Sequence, residues 1–550
     1  MKHIFKSLLF SISLAFLFFA CDGEYDSLVS SQEADNPLPT VSGDPGNADF
    51  SKVVTIGNSL TAGFKDGALY DFAQSKSLGA QLAHQLTFAG APEVFNQPDI
   101  NSAVGFNSSA SNIGQGVILG RFKLDTSIPG PSPVINGEIP GNYEGDRSAL
   151  NNFGVPGIQV GQLLTPLTGT PNNPAFNPLY ARFASNPGTS TILGDAIAAN
   201  PTFFTLWIGN NDVLGYALSG GTNTAILTDP ASFQVQFSTV VSQLMENTQA
   251  NGLVADIPAL LFAPYFRAVA WNVIEFGEDE AATVAQLNGA FAGFNDALDA
   301  IVANLGHPAA DAERRKVSYQ VGKNPILIHD SDLEDLSPKF DILLAAGAIT
   351  VEQRQALQPY VQARPMAVSQ QTGPEIALLA AGAILGTPAD PSNPLSLQGI
   401  VVPLGEQYHL TSNKIVTIET ARQSFNNIIA NVVNSAGDRL ALYETNSVNN
   451  AFADIWGLDG SGTGIRVGGV TLAPDFSPNG VFSTDGIHPN SRGIALVVND
   501  MIEVIENKWG SSIPQIDVLA LPGIQICAGD CVSQQDGMLF SMDFSEVSLE

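Results

Sequence analysis

The sequence falls in the α/β class: a parallel sheet with helices on both faces, a three-layer α/β/α arrangement broken by large loop and helical insertions. Two observations predict it. Short apolar runs end at glycine, as in Val53-Val54-Thr55-Ile56-Gly57 and Phe203-Phe204-Thr205-Leu206-Trp207-Ile208-Gly209, the pattern of strands buried on both faces. Apolar stripes at helical spacing follow them, and alternating strand and helix signals are what a parallel sheet with crossover helices requires. The 550 residues, 44% of them hydrophobic, suffice for a large core and exceed one ordinary domain, so one domain with insertions and two domains both fit the length.

The chain opens with Lys2 and Lys6, an apolar run from Leu8 to Ala20 interrupted only by Ser11 and Ser13, and then Cys21. The run is short for a membrane span, so residues 1–20 read as a signal peptide. Phe18-Phe19-Ala20-Cys21 resembles a relaxed bacterial lipobox, with Phe18 where leucine is usual. That resemblance implies lipidation of Cys21 and a membrane anchor. Asp22, Glu24 and Asp26 loosely resemble the export signals of surface lipoproteins in Bacteroidetes-like bacteria, which makes an exported, outer-membrane lipoprotein the expectation. Residues 21–50, rich in Ser, Asp, Pro and Gly, read as a flexible tether.

The main domain is expected over residues 51–510. After the strand at 53–57 comes a glycine-flanked turn holding Ser59, then a helical stripe through Leu69, Phe72, Leu78, Leu82 and Leu86. Residues 96–148 are rich in Asn, Gly, Ser and Pro and read as a long surface insertion. A short extended piece ends at Gly154 and Gly157. The strand at 203–208 follows, then a helix announced by Asp229-Pro230, an N-cap with proline at the first helical position. Leu253 to Ile257 forms a further strand, and Leu287, Phe291, Phe294, Leu298, Ile301 and Val302 line a core-facing helix. From about 305 to 410 the pattern loosens, and Leu343-Leu344-Ala345-Ala346-Gly347-Ala348-Ile349 recurs as Leu378-Leu379-Ala380-Ala381-Gly382-Ala383-Ile384. Two copies do not make a solenoid; the region is expected to be an α-helical insertion, either a cap over the site or a small core of its own. A helix over about 411–435, a strand at 440–443 and a closing helix from Ile494 to Ile505 complete the alternation. Residues 511–550 form a C-terminal extension. With three cysteines in the chain, Cys527 and Cys531 are expected to pair as a local disulfide in an oxidising compartment rather than to hold a metal, which needs two more ligands.

A net charge of −30 repels polyanions at long range and argues against a nucleic-acid partner. The acidity is spread through the sequence, as suits a solvated surface. Chemistry concentrates elsewhere. Ser59 follows a buried strand, in a turn at the carboxyl edge of the sheet where open α/β folds place their sites. Asp485 and His488 stand three residues apart in Thr484-Asp485-Gly486-Ile487-His488-Pro489, a spacing that lets the carboxylate hold one imidazole nitrogen while the other accepts a proton from a hydroxyl.

Together these pieces resemble the SGNH (GDSL) hydrolase family. The four blocks stand in family order: Gly57-Asn58-Ser59-Leu60, Asn152-Phe153-Gly154-Val155-Pro156-Gly157, Gly209-Asn210-Asn211-Asp212 and Asp485-Gly486-Ile487-His488-Pro489. The resemblance covers roughly residues 50–300 and 411–508, with Asn58 where the family has Asp, a change that bears on turn geometry. It implies a flavodoxin-like sheet, Ser59 as nucleophile, His488 as general base and acid, Asp485 as its orienting partner, and an oxyanion hole from the Ser59 and Gly157 N–H groups and the Asn211 side chain. The implied reaction is carboxylic ester hydrolysis through an acyl-enzyme, with no cofactor or metal, on a lipid or an acylated glycan. The apolar repeats favour acyl chains longer than acetate. A carbohydrate O-acetyl esterase and a non-catalytic surface glycan-binding lipoprotein are the competing expectations; the chain's four tryptophans are few for sugar-stacking platforms.

Overall fold

The computed structural model describes residues 42–125, 130–445 and 463–532. The apolar N-terminal run and Cys21 lie outside them. Five parallel strands form the central sheet: β1 (Val53–Gly57), β2 (Asn152–Gly154), β3 (Phe203–Trp207), β4 (Asn251–Ala255) and β5 (Leu440–Tyr443). Their order is β2-β1-β3-β4-β5, every neighbouring pair parallel. This is the flavodoxin-type order, in which the winding direction reverses between β1 and β3.

Helices cover both faces, which is why every residue of β1 and β3 is buried. A single turn, α1 (Ser59–Ala62), follows β1, and α2 (Leu78–Thr87) packs beside the closing helix on one face. On the other lie α3 (Ile192–Ala198) and α5 (Pro230–Asn247), while α4 (Asn211–Leu218) starts directly beyond β3. Asp229 caps α5 through the Ala231 and Ser232 N–H groups, ahead of Pro230. A long helix, α6 (Ala281–Leu305), precedes α7 (Ser412–Ser435) and α8 (Ser491–Trp509). Phe233 of α5 stacks on Phe425 of α7 with ring centroids 4.1 Å apart. Among the described residues no helix is long and apolar enough to cross a membrane.

Four features differ from the sequence reading. The expected tether gives way to the fold before residue 50: Asp44 bridges to Ser512, the Asn47 N–H reaches the Trp509 carbonyl, and Phe50 is buried against Phe203. The helical stripe beyond residue 69 is broken in two, Asp71–Ser75 and α2, because the Ser77 hydroxyl caps the second piece through the Ala80 N–H. The 96–148 insertion contains an antiparallel ribbon, Leu119–Asp125 with Gly130–Ile135, and the C-terminal extension lies along it. There Cys527 and Cys531 are joined as a disulfide, and the Cys527 N–H reaches the Leu124 carbonyl.

The fourth difference is a second core. Helix α6 buries Phe291, Phe294, Leu298 and Ile301 against Ile326, Leu336, Phe340 and Leu404, apart from the cluster that fills the sheet layers. An apolar stripe shows that a face is buried and not what buries it. The 305–410 region is not purely helical. It holds helices Ser337–Ala345 and Val351–Ala356 and small antiparallel ribbons such as Leu327–His329 with Ala363–Pro365. The two copies of the repeat diverge: the first ends an α-helix, the second forms a 3-10 turn over Leu379–Ala383.

A buried ionic knot ties this region to α7. Arg364 holds Glu375 through both terminal nitrogens, at 2.7 Å each, and Asp330 through Nε at 2.7 Å. Glu375 also accepts the Ser412 N–H at the start of α7, at 3.0 Å. Beside the knot, fully buried His409 donates from Nε2 to the His329 carbonyl at 2.9 Å. Burial, with Lys414 adding to it, pushes the His409 pKa down to about 4 against the pull of Glu375, Asp330 and Glu406. The folded state therefore binds fewer protons than the unfolded chain between about pH 6.5 and 4, and stability falls as pH drops through that window. His409→Gln, which keeps a donor for the His329 carbonyl, is expected to lose less melting temperature between pH 7 and pH 4.5 than the wild type, measured by thermal melts at both.

Candidate active site

Strand register brings three loops together. Gly57 at the end of β1 pairs with Gly154 on one side and Trp207 on the other. Beyond the strands the ladder runs on, with the Val155 N–H on the Gly57 carbonyl at 2.9 Å and the Asn58 N–H on the Trp207 carbonyl at 3.3 Å. The chain therefore leaves β2, β1 and β3 side by side at the carboxyl edge, where the winding reverses, and within a few residues presents Gly157, Ser59 and Asn211.

Ser59 is the first residue of α1, with 9% of its surface exposed. Asn58 caps the turn, its side-chain oxygen accepting the Leu60 N–H at 3.1 Å. Asn supplies the acceptor that an Asp would, so the turn is held. The Ser59 N–H, in the first turn, has no acceptor within its helix. The two glycines of the second loop serve different ends. A Cβ at Gly154 would strike the backbone of Thr61 and Ala62, so its absence lets α1 sit directly on β2. Gly157 borders open space and is required by its φ of +79°.

His488 arrives from the loop before α8. Its Nε2 lies 2.9 Å from Ser59 Oγ and its Nδ1 2.9 Å from Asp485 Oδ2. Asp485 is 2% exposed. Its Oδ1 accepts the Ile487 and His488 N–H groups, each at 2.9 Å, and its Oδ2 accepts the Gly67 N–H at 3.1 Å. Burial works against the charged carboxylate, but His488 and these donors outweigh it and hold the Asp485 pKa at about 2. The carboxylate is charged throughout the neutral range, so the Nδ1–H tautomer is favoured and Nε2 is left as the acceptor facing Ser59. The ring of Phe64 covers the imidazole, with centroids 5.3 Å apart.

Asn211 is the first residue of α4, and its side-chain amide donates to the Ile158 carbonyl at 2.9 Å. One of its two N–H bonds is thereby spent on orientation and the other remains for a ligand. Asp212, fully buried, ties the same two loops by accepting the Val160 N–H at 3.0 Å and the Thr228 hydroxyl at 2.7 Å. Burial pushes its pKa up to about 7.

The structure thus brings Ser59, His488 and Asp485 into one hydrogen-bonded chain and sets the Gly157 and Asn211 loops beside it. Such a chain can activate a hydroxyl for attack on a carbonyl, and the neighbouring N–H groups can receive the negative charge that results. Sequence reading passed over Phe64 and Gly67, and it named Asp212 in the third block without giving it a role. Asp66-Gly67, a turn signal just after the first block, was the available clue for one of them. The Cys527–Cys531 pair lies elsewhere, on the ribbon. Among the described residues Cys527, Asp530 and Cys531 are close enough to share a metal ion, but the two sulfurs are bonded to each other.

No protein-family model matches the chain, and no curated protein matches it significantly. Among solved structures, the chain is similar to a variant of an acetyl-xylooligosaccharide esterase from Geobacillus Stearmophilus, at 14% identity and a TM-score of 0.19, over 39% of this chain and 62% of that one.

Proposed function

We propose that this protein is a serine ester hydrolase of the SGNH type. The observation that carries the proposal is the continuous Ser59–His488–Asp485 hydrogen-bond chain, with both links at 2.9 Å, assembled from segments at opposite ends of the sequence. In the proposed mechanism His488 Nε2 takes the Ser59 proton as Oγ attacks the ester carbonyl. Asp485 stabilises the imidazolium. The Ser59 N–H, the Gly157 N–H and the free Asn211 N–H receive the oxyanion. Collapse expels the alcohol, which takes its proton from His488, and leaves an acyl group on Ser59. A water deprotonated by His488 then releases the acid and restores the serine.

Asn211→Ala is expected to lower kcat by about 10²- to 10³-fold, the usual cost of one oxyanion donor, while KM changes little. Steady-state kinetics on p-nitrophenyl butyrate checks it. The proposed substrate is a carboxylic ester of a lipid or of an acylated glycan.

The 305–410 insertion meets the acid–base loop at Leu379, which packs against the core of the sheet layers. A Cβ on Gly486, inside the acid–base loop, would meet Leu379 Cδ2 at 3.4 Å and the Tyr265 backbone at 3.1 Å. We propose that this turn caps the acyl side of the site. Deleting the insertion would remove the Arg364–Glu375 pair and much of the second core, so a point substitution is the cleaner probe. Leu379→Gln is expected to lower kcat/KM for butyrate or longer esters several-fold while sparing acetate, as loss of apolar contact with one or two methylenes predicts. An unchanged acyl-length profile counts against the cap. We further propose that Cys21 carries a lipid anchor at the outer membrane, a reading supported by residues 1–26 alone and tested by labelling with radioactive palmitate in the wild type and in Cys21→Ala.

A further inference from the structure

Resting on the hydrolase reading, we infer that Asp66 is a positioning residue for the acid–base pair: it clamps the Asp485–His488 loop onto the loop that carries the nucleophile. Asp66 sits seven residues beyond Ser59, with a backbone in the left-handed region at φ +56°. That conformation is uncommon for a residue with a Cβ, and at a site it marks a constraint that the surroundings enforce. The contacts supply the constraint. Asp66 Oδ1 accepts the Thr484 N–H at 2.9 Å and the Thr484 hydroxyl at 2.7 Å, and Oδ2 accepts the Tyr70 hydroxyl at 2.6 Å. Its own N–H donates to Ser483 Oγ at 3.1 Å. Both residues before Asp485 are therefore held by Asp66.

The left-handed turn also aims the next N–H. Gly67 donates to Asp485 Oδ2, the oxygen that faces His488 Nδ1. The orienting carboxylate is thus steered from the nucleophile's own loop, across more than four hundred residues of sequence. The ribbon backs the clamp from behind: the Phe122 N–H reaches the Asp66 carbonyl at 2.7 Å, and the Arg121 guanidinium lies 4.5 Å above the Tyr70 ring. Lys65, beside Asp66, is buried and donates to Ser491 Oγ at 2.9 Å. The charged and titratable groups around the clamp are therefore Lys65, Tyr70, Arg121, Asp485 and His488. Asp66 balances two cations among them, and its loss makes the surroundings of the imidazole more positive, which disfavours imidazolium.

Two variants separate positioning from general support. Asp66→Ala removes every side-chain contact. Asp66→Asn keeps an acceptor for Thr484 and a residue type that tolerates the left-handed region, but removes the charge. In Asp66→Ala, kcat for p-nitrophenyl butyrate should fall by about 10- to 100-fold, on the scale set by small misplacements of reacting groups, with KM within about twofold. In Asp66→Asn most of kcat should return, while the acid limb of the kcat/KM profile and the midpoint read on the His488 signal move down. The midpoint is read without substrate, by NMR of histidine-¹⁵N-labelled protein with the signal assigned through His488→Gln. Folded variants whose kcat stays within about twofold and whose His488 midpoint does not move would overturn the clamp. If Asp66→Ala fails to fold, Asp66→Asn decides by the His488 midpoint: a downward move supports the clamp and an unmoved midpoint overturns it. A wild type that turns over no ester sinks the hydrolase reading instead, and the midpoint still judges the clamp.

Discussion

Replacing Ser59 by alanine is expected to abolish ester turnover, with kcat falling by about 10⁵- to 10⁶-fold, as when a catalytic serine is removed from other triads. The expected effect is large because the hydroxyl has no substitute. His488 Nε2 is placed to deprotonate Ser59 Oγ, 2.9 Å away. The fold should survive. Ser59 contributes no cap, since Asn58 supplies the side-chain acceptor for α1, and loss of its one hydrogen bond to His488 costs about 1 kcal/mol. A melting temperature near that of the wild type, alongside the lost turnover, separates chemistry from unfolding.

Asp485→Asn is expected to be nearly as damaging, lowering kcat by about 10⁴-fold with the geometry kept. The reason lies in tautomers. Asn can still accept the Ile487 and His488 N–H groups through its oxygen, as Asp485 Oδ1 does. Its NH₂ then faces His488 Nδ1 and the Gly67 N–H, where Oδ2 now accepts both. A donor opposite Nδ1 makes that nitrogen the acceptor and puts the proton on Nε2, which can no longer take one from Ser59. Acid does not reproduce this change within the assay range. With a folded-state pKa of about 2, below the ordinary value of 3.8, Asp485 keeps its charge until pH falls toward 2, while its contribution to stability is lost progressively as pH falls from about 3.8 through about 2. The pH profile of kcat/KM in the wild type should therefore report His488, and the profile of Asp485→Asn should rise toward alkaline pH if hydroxide replaces the lost base.

Much of this site was legible because its chemistry rides on the strands. β1 and β3 are continuous apolar runs buried on both faces, and in a parallel sheet such runs put their following turns at one edge. The turns that hold Ser59 and Asn211 follow from that once the strands are placed, whereas the roles expected of the two residues came from the resemblance of the four blocks taken together. Asp485 and His488 were legible as a pair by their spacing, but nothing local says that their loop lies over β1. That placement depends on α8 packing beside α2, a contact between helices some four hundred residues apart. The second core was hidden for a related reason. The stripe on α6 predicts burial, and burial is what it has, against Ile326 and Phe340 rather than against the sheet. The ribbons at 327–329 and 363–365 are three residues long, too short for alternation to announce a strand. Asp66 reads as an ordinary Asp-Gly turn, and only its partners at Thr484 and Tyr70 give it a place in the site.

The central claim is that Ser59 carries the acyl group, and a fluorophosphonate probe tests it most directly, since such probes phosphonylate a serine only when its base is in place. Intact mass and peptide mapping should show one adduct, on Ser59, formed by the wild type and absent from both Ser59→Ala and His488→Ala. An adduct on another residue, or hydrolysis of p-nitrophenyl esters that persists in Ser59→Ala, would contradict the account.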